Sequence, residues 1–223
     1  MKKFEFTGET KTLFDGTVLH RIKALVRIES DAGNVEVGDI GGWIEKEDNL
    51  SHDGNAWVSD DAEVYDDARV CGDARICGNV EVFGKARVYS NACVYDNARV
   101  CGNAEVFGKA WICGDAEVYG NARVYGNAWV YGNAWICGDA EVFRMEHYLV
   151  MGPMGSRNAF TTFFRTKERN IKVVCRCFFG TIDEFLAKVK QTHGDSKHAK
   201  VYRAAVEVAL AQLEDVERRN NNA

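Results

Sequence analysis

The chain has 223 residues, a net charge of -5 at pH 7 and 46% hydrophobic residues, which is typical of a globular protein with one to three domains. The negative charge argues against nucleic-acid binding over the whole surface. No stretch approaches the roughly 18 apolar residues of a membrane span, and the start "MKKFEFTGET" lacks the apolar segment of a signal peptide. We therefore expect a cytoplasmic protein that binds neither membranes nor nucleic acid.

Residues 1–43 precede a repeat and do not follow its pattern. The segments "KKFEFTGET" and "VLHRIKALVRI" are predicted strands, and "LFDG" between them is a predicted turn. A repetitive β structure exposes strand edges at its first coil, and those edges need cover. We predict that residues 1–43 form an N-terminal β cap.

A six-residue phrase repeats fifteen times without insertion from Ala56 to Val142. Alanine opens each copy except the one at Val80, and two residues later comes an aliphatic residue. These aliphatic residues are Val58, Val64, Val70, Ile76, Val82, Val88, Val94, Val100, Val106, Ile112, Val118, Val124, Val130, Ile136 and Val142. A period of six does not fit an α-helix, but it fits short strands with turns at Gly, Asn and Asp.

The phrase "V-x-G-N-A-x" resembles the hexapeptide repeat of left-handed parallel β-helices, over residues 44–143. Ile44 and Leu50 already lie in the alanine frame. The resemblance implies triangular coils of three hexads, about five coils in all, with the aliphatic and small residues inside. It also implies a homotrimer assembled through the β-helix. The motif "LHRIKAL…GDIGGWIE…GNAWV" further resembles the head of hexapeptide-repeat proteins from phages and mobile elements.

Every eighteenth residue should lie on the same face of such a helix. One column contains Trp57, Arg75, Cys93, Trp111 and Trp129. An apolar stripe of this size indicates a contact surface, which either a second subunit or a flanking domain of the same chain would cover. The residue after the aliphatic one is Tyr, Phe, Ser or Cys, so we interpret its five cysteines as packing residues and expect reduced thiols.

Residues 144–223 are predicted to form a small α+β domain with the order βββαα. The predicted strands are His147–Met151, Ala159–Arg165 and Ile171–Phe178, with Gly180 ending the hairpin. Thr181 is a good N-cap for a helix that ends at Gly194. A second helix is predicted from Lys197 to Val216.

The loop "GPMGSRN" is the predicted ligand site of this domain. Glycines, a serine and an arginine between strands can form a concave set of donors for an anion such as phosphate. The predicted binding residues are Gly155, Ser156, Arg157, Asn158, Thr161, Thr162, Phe164 and Arg165, with Phe163 or Phe164 stacking on a base. The alternative is a tight turn with a surface arginine.

Two catalytic or metal interpretations remain open. Cys175, Cys177, His193 and His198 could hold a metal, but zinc sites usually separate their cysteines by two to four residues, so we expect no metal. Many proteins of the resembling family are acyltransferases with a histidine base. This repeat contains no histidine, and His20, His52 and His147 lie only in the cap or at its edges.

The sequence therefore favours a non-catalytic, ligand-binding homotrimer without a cofactor. The leading hypothesis is a phage counter-defence protein that sequesters a nucleotide-derived immune signal, such as a cyclic nucleotide or an ADP-ribose derivative, in the host cytoplasm. One alternative is a scaffold or inhibitor that binds a host protein. The other is a hexapeptide-repeat acyltransferase that uses acetyl-coenzyme A.

Overall fold

The computed structural model describes residues 1–30 and 33–214 of the chain. It contains an N-terminal β region, a β-solenoid and a C-terminal α+β region. The N-terminal strands are β1 (Phe4–Thr12), β2 (Val18–Ala24) and β3 (Ile40–Ile44). The solenoid strands are β4 (Trp57–Val58), β5 (Glu63–Val64), β6 (Arg69–Val70), β7 (Arg75–Ile76), β8 (Glu81–Val82), β9 (Arg87–Val88), β10 (Cys93–Val94), β11 (Arg99–Val100), β12 (Glu105–Val106), β13 (Trp111–Ile112), β14 (Glu117–Val118), β15 (Arg123–Val124), β16 (Trp129–Val130), β17 (Trp135–Ile136) and β18 (Glu141–Val142). The C-terminal elements are β19 (Tyr148–Met154), β20 (Ala159–Arg165), β21 (Ile171–Cys175), β22 (Phe178–Thr181), α1 (Ile182–His193) and α2 (Lys197–Glu214), and short 3-10 turns span Glu47–Asn49 and Met145–His147.

Parallel sheets run along the solenoid, because each short strand pairs with the strand eighteen residues away. The first sheet has the order β1-β2-β3-β5-β8-β11-β14-β17, the second β4-β7-β10-β13-β16 and the third β6-β9-β12-β15-β18. Backbone hydrogen bonds join successive coils, as where the Glu105 N–H donates to the Ala122 carbonyl at 2.9 Å. The predicted mainly β solenoid is confirmed.

The interior of the solenoid is made by the two columns that the repeat predicts. Every residue of the alanine and aliphatic columns from Ala56 to Val142 is at most 1% exposed. Each aliphatic side chain lies on its counterpart in the next coil, at the roughly 4.8 Å spacing of neighbouring strands. Burial of one Val or Ile contributes about 1.5–3 kcal/mol, so the repeated column supplies most of the driving force for coiling.

The corners of the coils require a left-handed backbone, which explains why glycine recurs there. Gly114 and Gly132 both have φ of +68°. At some corners an aspartate replaces glycine: Asp96 has φ of +63°, and its carboxylate Oδ2 accepts a hydrogen bond from the Gly114 N–H at 3.0 Å. Asp60 and Asp66 make the same contact with the next coil. Aspartate therefore compensates for its backbone strain with a hydrogen bond between coils.

The solenoid has about six turns, where the sequence predicted five. The additional turn is formed by β3 and the following segment: Ile44 pairs in parallel with Val64, and Leu50 bridges Val70. Both residues thus occupy the aliphatic column, not the alanine column in which their numbering placed them. Their partners lie twenty residues away because the chain between Leu50 and Val58 contains two residues more than a hexad.

The N-terminal strands cover one end of the solenoid. The pair β1–β2 is antiparallel, and β3 pairs antiparallel with β2 on one edge and parallel with β5 on the other. The hairpin thus continues the first sheet, and hydrogen bonds satisfy an edge that the first coil would otherwise expose.

The C-terminal sheet covers the other end of the solenoid. It has four strands in the order β19-β20-β21-β22, where the sequence predicted three, because the chain reverses after Cys175 and Phe178–Thr181 form a fourth strand across Gly180. Phe164 and Val174 pack into the solenoid core, whereas Phe163 and Val173 pack against the helices. Both faces of this sheet are therefore covered.

The helices begin where the sequence predicts. The Thr181 hydroxyl accepts a hydrogen bond from the Glu184 N–H, and the Glu184 carboxylate accepts one from the Thr181 N–H, which makes a capping box. Gly194 follows the last residue of α1. The predicted end of the second helix at Val216 lies outside the described residues. No helix in the described part of the chain is long and apolar enough to cross a membrane.

Stacking of the corners should be measurable with two alanine variants. A Cβ at Gly114 would lie 2.9 Å from the Gly132 backbone nitrogen, whereas a Cβ at Gly132 meets nothing within 4 Å, although both residues have the same φ. We expect Gly132→Ala to lower the free energy of unfolding by about 1 kcal/mol through backbone strain. Gly114→Ala should cost about 1 kcal/mol more through the steric contact. Urea unfolding followed by circular dichroism measures both, and equal losses would contradict the interpretation.

Lys3 should give the stability a pH dependence at alkaline pH. Burial, and then the nearby Arg75 charge, lower the pKa of Lys3 to about 8 from 10.5. Between pH 8 and pH 10.5 the unfolded chain therefore binds a proton that the folded chain does not, so this group makes the protein more stable as pH rises. Below pH 8 both states are protonated and the burial penalty stays constant.

The test compares Lys3→Met with the wild type in urea unfolding at pH 7 and pH 10. The variant should be more stable at pH 7, and its advantage should shrink by about 2 kcal/mol at pH 10, where the wild type has lost the buried charge. Lys2→Met, which removes an exposed ammonium, serves as the control and should keep the wild-type response. If the stability advantage of Lys3→Met is the same at pH 7 and pH 10, the pH dependence does not come from a lowered pKa of Lys3.

Candidate binding surface

One side of the solenoid presents mainly aromatic and thiol side chains, with Arg75 as the charged residue of its central column. The outward residues of the second sheet pair in register in the order Trp57, Arg75, Cys93, Trp111 and Trp129. We call this column, with the neighbouring column Ser59, Cys77, Tyr95, Cys113 and Tyr131, the tryptophan face. It forms because the eighteen-residue coil places equivalent repeat positions above one another.

Edge-to-face contacts join the rings of the tryptophan face. The Trp111 and Trp129 ring centroids are 5.6 Å apart at 69°, and Tyr95 meets Trp111 at 5.9 Å and 86°. The Trp129 indole N–H donates to the Cys113 Sγ at 3.3 Å. These contacts fix the rings in place, so the surface is rigid before it meets any partner.

The rings in the C-terminal half of this face remain in solvent. Trp111 is 44% exposed, Trp129 42% and Tyr131 51%. The other two faces differ in kind, because Arg99 pairs with Glu81 at 3.1 Å and Arg123 pairs with Glu105 at 3.3 Å across neighbouring coils. Those faces are well suited to water, whereas the tryptophan face presents an apolar patch.

A flanking segment of the same chain covers the N-terminal end of the tryptophan face, and another contacts the backbone at its C-terminal end. At the N-terminal end the Gly41 backbone packs on Trp57, which is 3% exposed. At the C-terminal end the Tyr148 hydroxyl donates to the Trp129 carbonyl at 2.9 Å. The sequence left two possible covers open, a second subunit or a flanking domain. The flanking segments bury Trp57 and leave Trp111, Trp129 and Tyr131 exposed.

A cleft lies at each end of the face. The N-terminal cleft, of about 370 Å³, is lined by Gly33, Asn34, Val35, Asp39, Ile40, Trp57, Ser59, Arg75 and Cys77. The C-terminal cleft, of about 440 Å³, is lined by Tyr131, Met145, Glu146, Tyr148, Leu149, Val150 and Gln212. Both volumes fall within the range of small-molecule sites.

Arg75 is the cation of the tryptophan face. Its Nε and Nη2 atoms are buried, and no described atom accepts a hydrogen bond from either. Burial lowers the pKa of the guanidinium, yet arginine keeps its charge in proteins. Burial also raises the pKa of the Cys77 and Cys93 thiols, so these neighbours stay protonated at neutral pH and supply no counter-charge.

The predicted anion loop is the tip of a β-hairpin. Gly155–Asn158 form the turn between β19 and β20, and Ser156, Arg157 and Asn158 are exposed. Gly155 packs so closely on the Tyr202 hydroxyl that an added Cβ would overlap it. The tip is therefore a tight turn held by α2, with a surface arginine.

The remaining predicted ligand residues do not join this turn in one surface. Thr161 is buried on the helix side of β20, whereas Thr162 and Phe164 are buried on the solenoid side. The Thr162 hydroxyl accepts a hydrogen bond from the Trp135 N–H at 3.1 Å, and Phe164 stacks on Phe179 at 6.5 Å. Phe163, the other predicted stacking residue, belongs to the helix-side core. Arg165 is half-buried at the end of the strand.

The cysteines and histidines of the possible metal site are not arranged for a metal. Cys175 ends β21, and Cys177 lies in the following turn, where Arg176 has φ of +50°. The predicted strand Ile171–Phe178 contained both cysteines, but the observed strand ends at Cys175, so the two thiols do not lie on one strand. The His193 and His198 rings lie 5.9 Å apart, and no cluster of three or more metal-binding side chains occurs within residues 1–30 and 33–214.

The histidines at the edges of the repeat pack against aromatic rings. His52 stacks on Phe4 at 4.4 Å, and its Nδ1 accepts a hydrogen bond from the Lys3 N–H. His147 is 2% exposed beside Phe143, and burial together with the Arg165 and Arg144 charges lowers its pKa. His147 is thus neutral at neutral pH and has little access to a substrate.

Sequence reasoning missed the Arg75 cleft. Arg75 was visible as a cation in a column of Trp and Cys, but the segment that closes the cleft, residues 33–40, lies in the N-terminal region. The sequence did offer one signal. Arg75 is the single charged residue of its column, whereas each of the other two columns contains both Glu and Arg.

The comparisons with known proteins agree with this architecture. Residues 116–132 and 122–138 match the family model described as YdcK Beta solenoid repeat. A comparison with curated proteins gave no match, and neither comparison supports the predicted phage resemblance. The chain is a β-solenoid protein whose coils over residues 116–138 are similar to the YdcK β-solenoid repeat.

Proposed function

We propose that the protein is a non-catalytic binding scaffold that assembles as a homotrimer through the tryptophan face. The observation that carries the proposal is the exposure of Trp111, Trp129 and Tyr131 on a rigid apolar face. Tryptophan and tyrosine are the side chains most often found at the energetic centres of protein interfaces. The occupant we infer is a second copy of this chain.

The chemistry of the three faces supports self-association through this one. The first and third faces carry Glu and Arg side chains, several of which pair across neighbouring coils, so these faces are stable in water and offer little to an apolar partner. Aromatic stacks also lie on the third face, but Arg123 covers the Phe107 and Tyr125 rings at 5.2 and 5.6 Å. Trp111, Trp129 and Tyr131 have no such cover among the described residues, so each chain offers one apolar side for self-association.

The trimer, as distinct from a dimer, rests on the resemblance to hexapeptide-repeat proteins. A rigid solenoid with one exposed apolar face is consistent with three copies packed side by side around a common axis. Such an assembly would bury the exposed rings and leave the C-terminal hairpin tips of all three chains free.

The non-catalytic part of the proposal is supported by the surroundings of the candidate catalytic groups. His52 and His147 are packed against rings, and His20 stacks on Phe6 at 4.7 Å. The acyltransferase alternative needs a histidine that reaches a substrate, and these rings are held in packing contacts. The nucleotide hypothesis for the C-terminal domain loses its geometric basis, because Thr161, Thr162 and Phe164 are buried.

The assembly is tested by light scattering, with a chain mass of 24.9 kDa as the reference. The wild type should have three times this mass at micromolar concentration. Trp111→Glu and Tyr131→Glu should each weaken association at least tenfold, because they place a charge in an apolar contact, while circular dichroism stays unchanged.

Phe14→Glu is the matched control for these variants. Phe14 is a fully exposed aromatic in the turn between β1 and β2, away from the tryptophan face. Its variant should keep the trimer mass. A wild type that stays monomeric, or a Trp111→Glu variant with the wild-type mass, would refute the assembly.

A further inference from the structure

The N-terminal cleft of the tryptophan face has the features of a ligand site that the assembly does not explain. It has a volume of about 370 Å³, and its apolar walls are Val35, Ile40, Trp57 and Cys77. One side is the solenoid and the other is the segment of residues 33–40. Asn34, Asp39, Ser59 and Arg75 supply its polar groups. Apolar walls with a few polar groups are typical of sites for small organic molecules.

The cation of this cleft is the Arg75 guanidinium, which has no carboxylate at ion-pair distance among the described residues. Its Nε and Nη2 atoms have no acceptor among the described residues, and no carboxylate in that part of the chain lies within 4.0 Å of it. Two nearby acids accept backbone hydrogen bonds: Asp39 from the Glu36 N–H at 2.8 Å, and Asp73 from the Asn55 N–H at 3.2 Å. The Asp73 charge favours the charged form of Arg75, but it makes no ion pair with the guanidinium. A buried donor without an acceptor is costly.

A second cation strengthens the field at this end of the solenoid. Lys3 is 3% exposed, and its charge and that of Arg75 repel each other. The Lys3 ammonium contacts only the Gly54 carbonyl, at 3.4 Å, among the described residues. Asp53 and Asp73 offset part of this positive charge. Because burial reduces the screening by water, the remaining positive field acts on an anion more strongly than it would at an exposed site.

We propose that this cleft binds a small organic oxyanion, a molecule that carries a phosphate or a carboxylate group. The guanidinium binds the oxyanion, since its planar fork matches both groups, and the carbon skeleton packs on Trp57 and Val35. The site is distinct from the predicted C-terminal loop, and it does not depend on the proposed trimer.

The test uses thermal unfolding with three probes at matched ionic strength: phenyl phosphate, benzoate and inorganic phosphate, with chloride as the reference salt. A ligand that binds only the folded protein raises the Tm, by about 5 °C or more at one hundred times its Kd. Phenyl phosphate and benzoate share a ring, so the larger shift identifies the oxyanion. Both should exceed inorganic phosphate if the apolar walls contribute.

Arg75→Gln is the decisive variant, and Arg87→Gln is its matched control on the third face, where Arg87 pairs with Glu105 at 3.6 Å. Arg75→Gln should lose the ligand-induced shift, and Arg87→Gln should keep it. Without ligand, the Tm of Arg75→Gln should equal or exceed that of the wild type, because an uncompensated charge is removed. A purely structural arginine would instead lower it.

Two outcomes would overturn the proposal. The first is a wild type that no probe stabilises beyond chloride, or an equal shift in Arg75→Gln. The second is a loss of trimer mass in Arg75→Gln with no ligand shift in the wild type, which would assign the guanidinium to a carboxylate of a second copy. If the wild type is a monomer and the probes still shift its Tm through Arg75, the proposed function fails and the anion site stands.

Discussion

Parallel pairing of each strand with the strand eighteen residues away is the constraint on which the rest of this molecule depends. It stacks each inward aliphatic side chain on an aliphatic side chain of the next coil. It stacks the outward side chains on their counterparts in the same way. Each outer column becomes a ladder of residues at strand spacing, where like charges would repel and unlike charges or rings attract. Glu81 under Arg99 and Tyr89 against Phe107, at 4.9 Å and 3°, follow from this rule. The tryptophan face forms in the same way, because its rings are stacked in register on neighbouring strands.

The interior was predictable because its signal is local and repeated. Fifteen copies of one phrase fix which residues point inward, and no tertiary knowledge is needed for that step. The first turn was not predictable in the same way. Ile44 and Leu50 keep a spacing of six between themselves, but the chain up to Val58 contains two additional residues, so numbering alone assigned them to the wrong column. Strand pairing with Val64 and Val70 decides the column, and that pairing is a tertiary fact.

The candidate ligand site at the C-terminal hairpin shows the opposite case. Its residues are close in sequence and chemically suited to an anion, but alternation along β20 sends Thr161 and Thr162 to opposite faces. On a sheet with one open face, half of these side chains would still reach solvent. Here the solenoid covers one face and the helices cover the other. The sequence shows the alternation along the strand, but it does not show that both faces of the sheet are covered. Local composition therefore suggested a ligand site whose residues are in fact buried.

The position of Arg75 on the tryptophan face separates the two binding surfaces that we propose. Residues 33–40 cover the face at Trp57 and form the cleft, so a second copy of the chain is limited to the part that begins at Trp111. Cys93 lies between these parts and pairs with Arg75 on one side and Trp111 on the other. One coil of the solenoid thus separates an apolar surface for assembly from a charged cleft for a ligand. Because the stacked core is rigid, the two surfaces keep a fixed position relative to each other, with the coil that contains Cys93 between them.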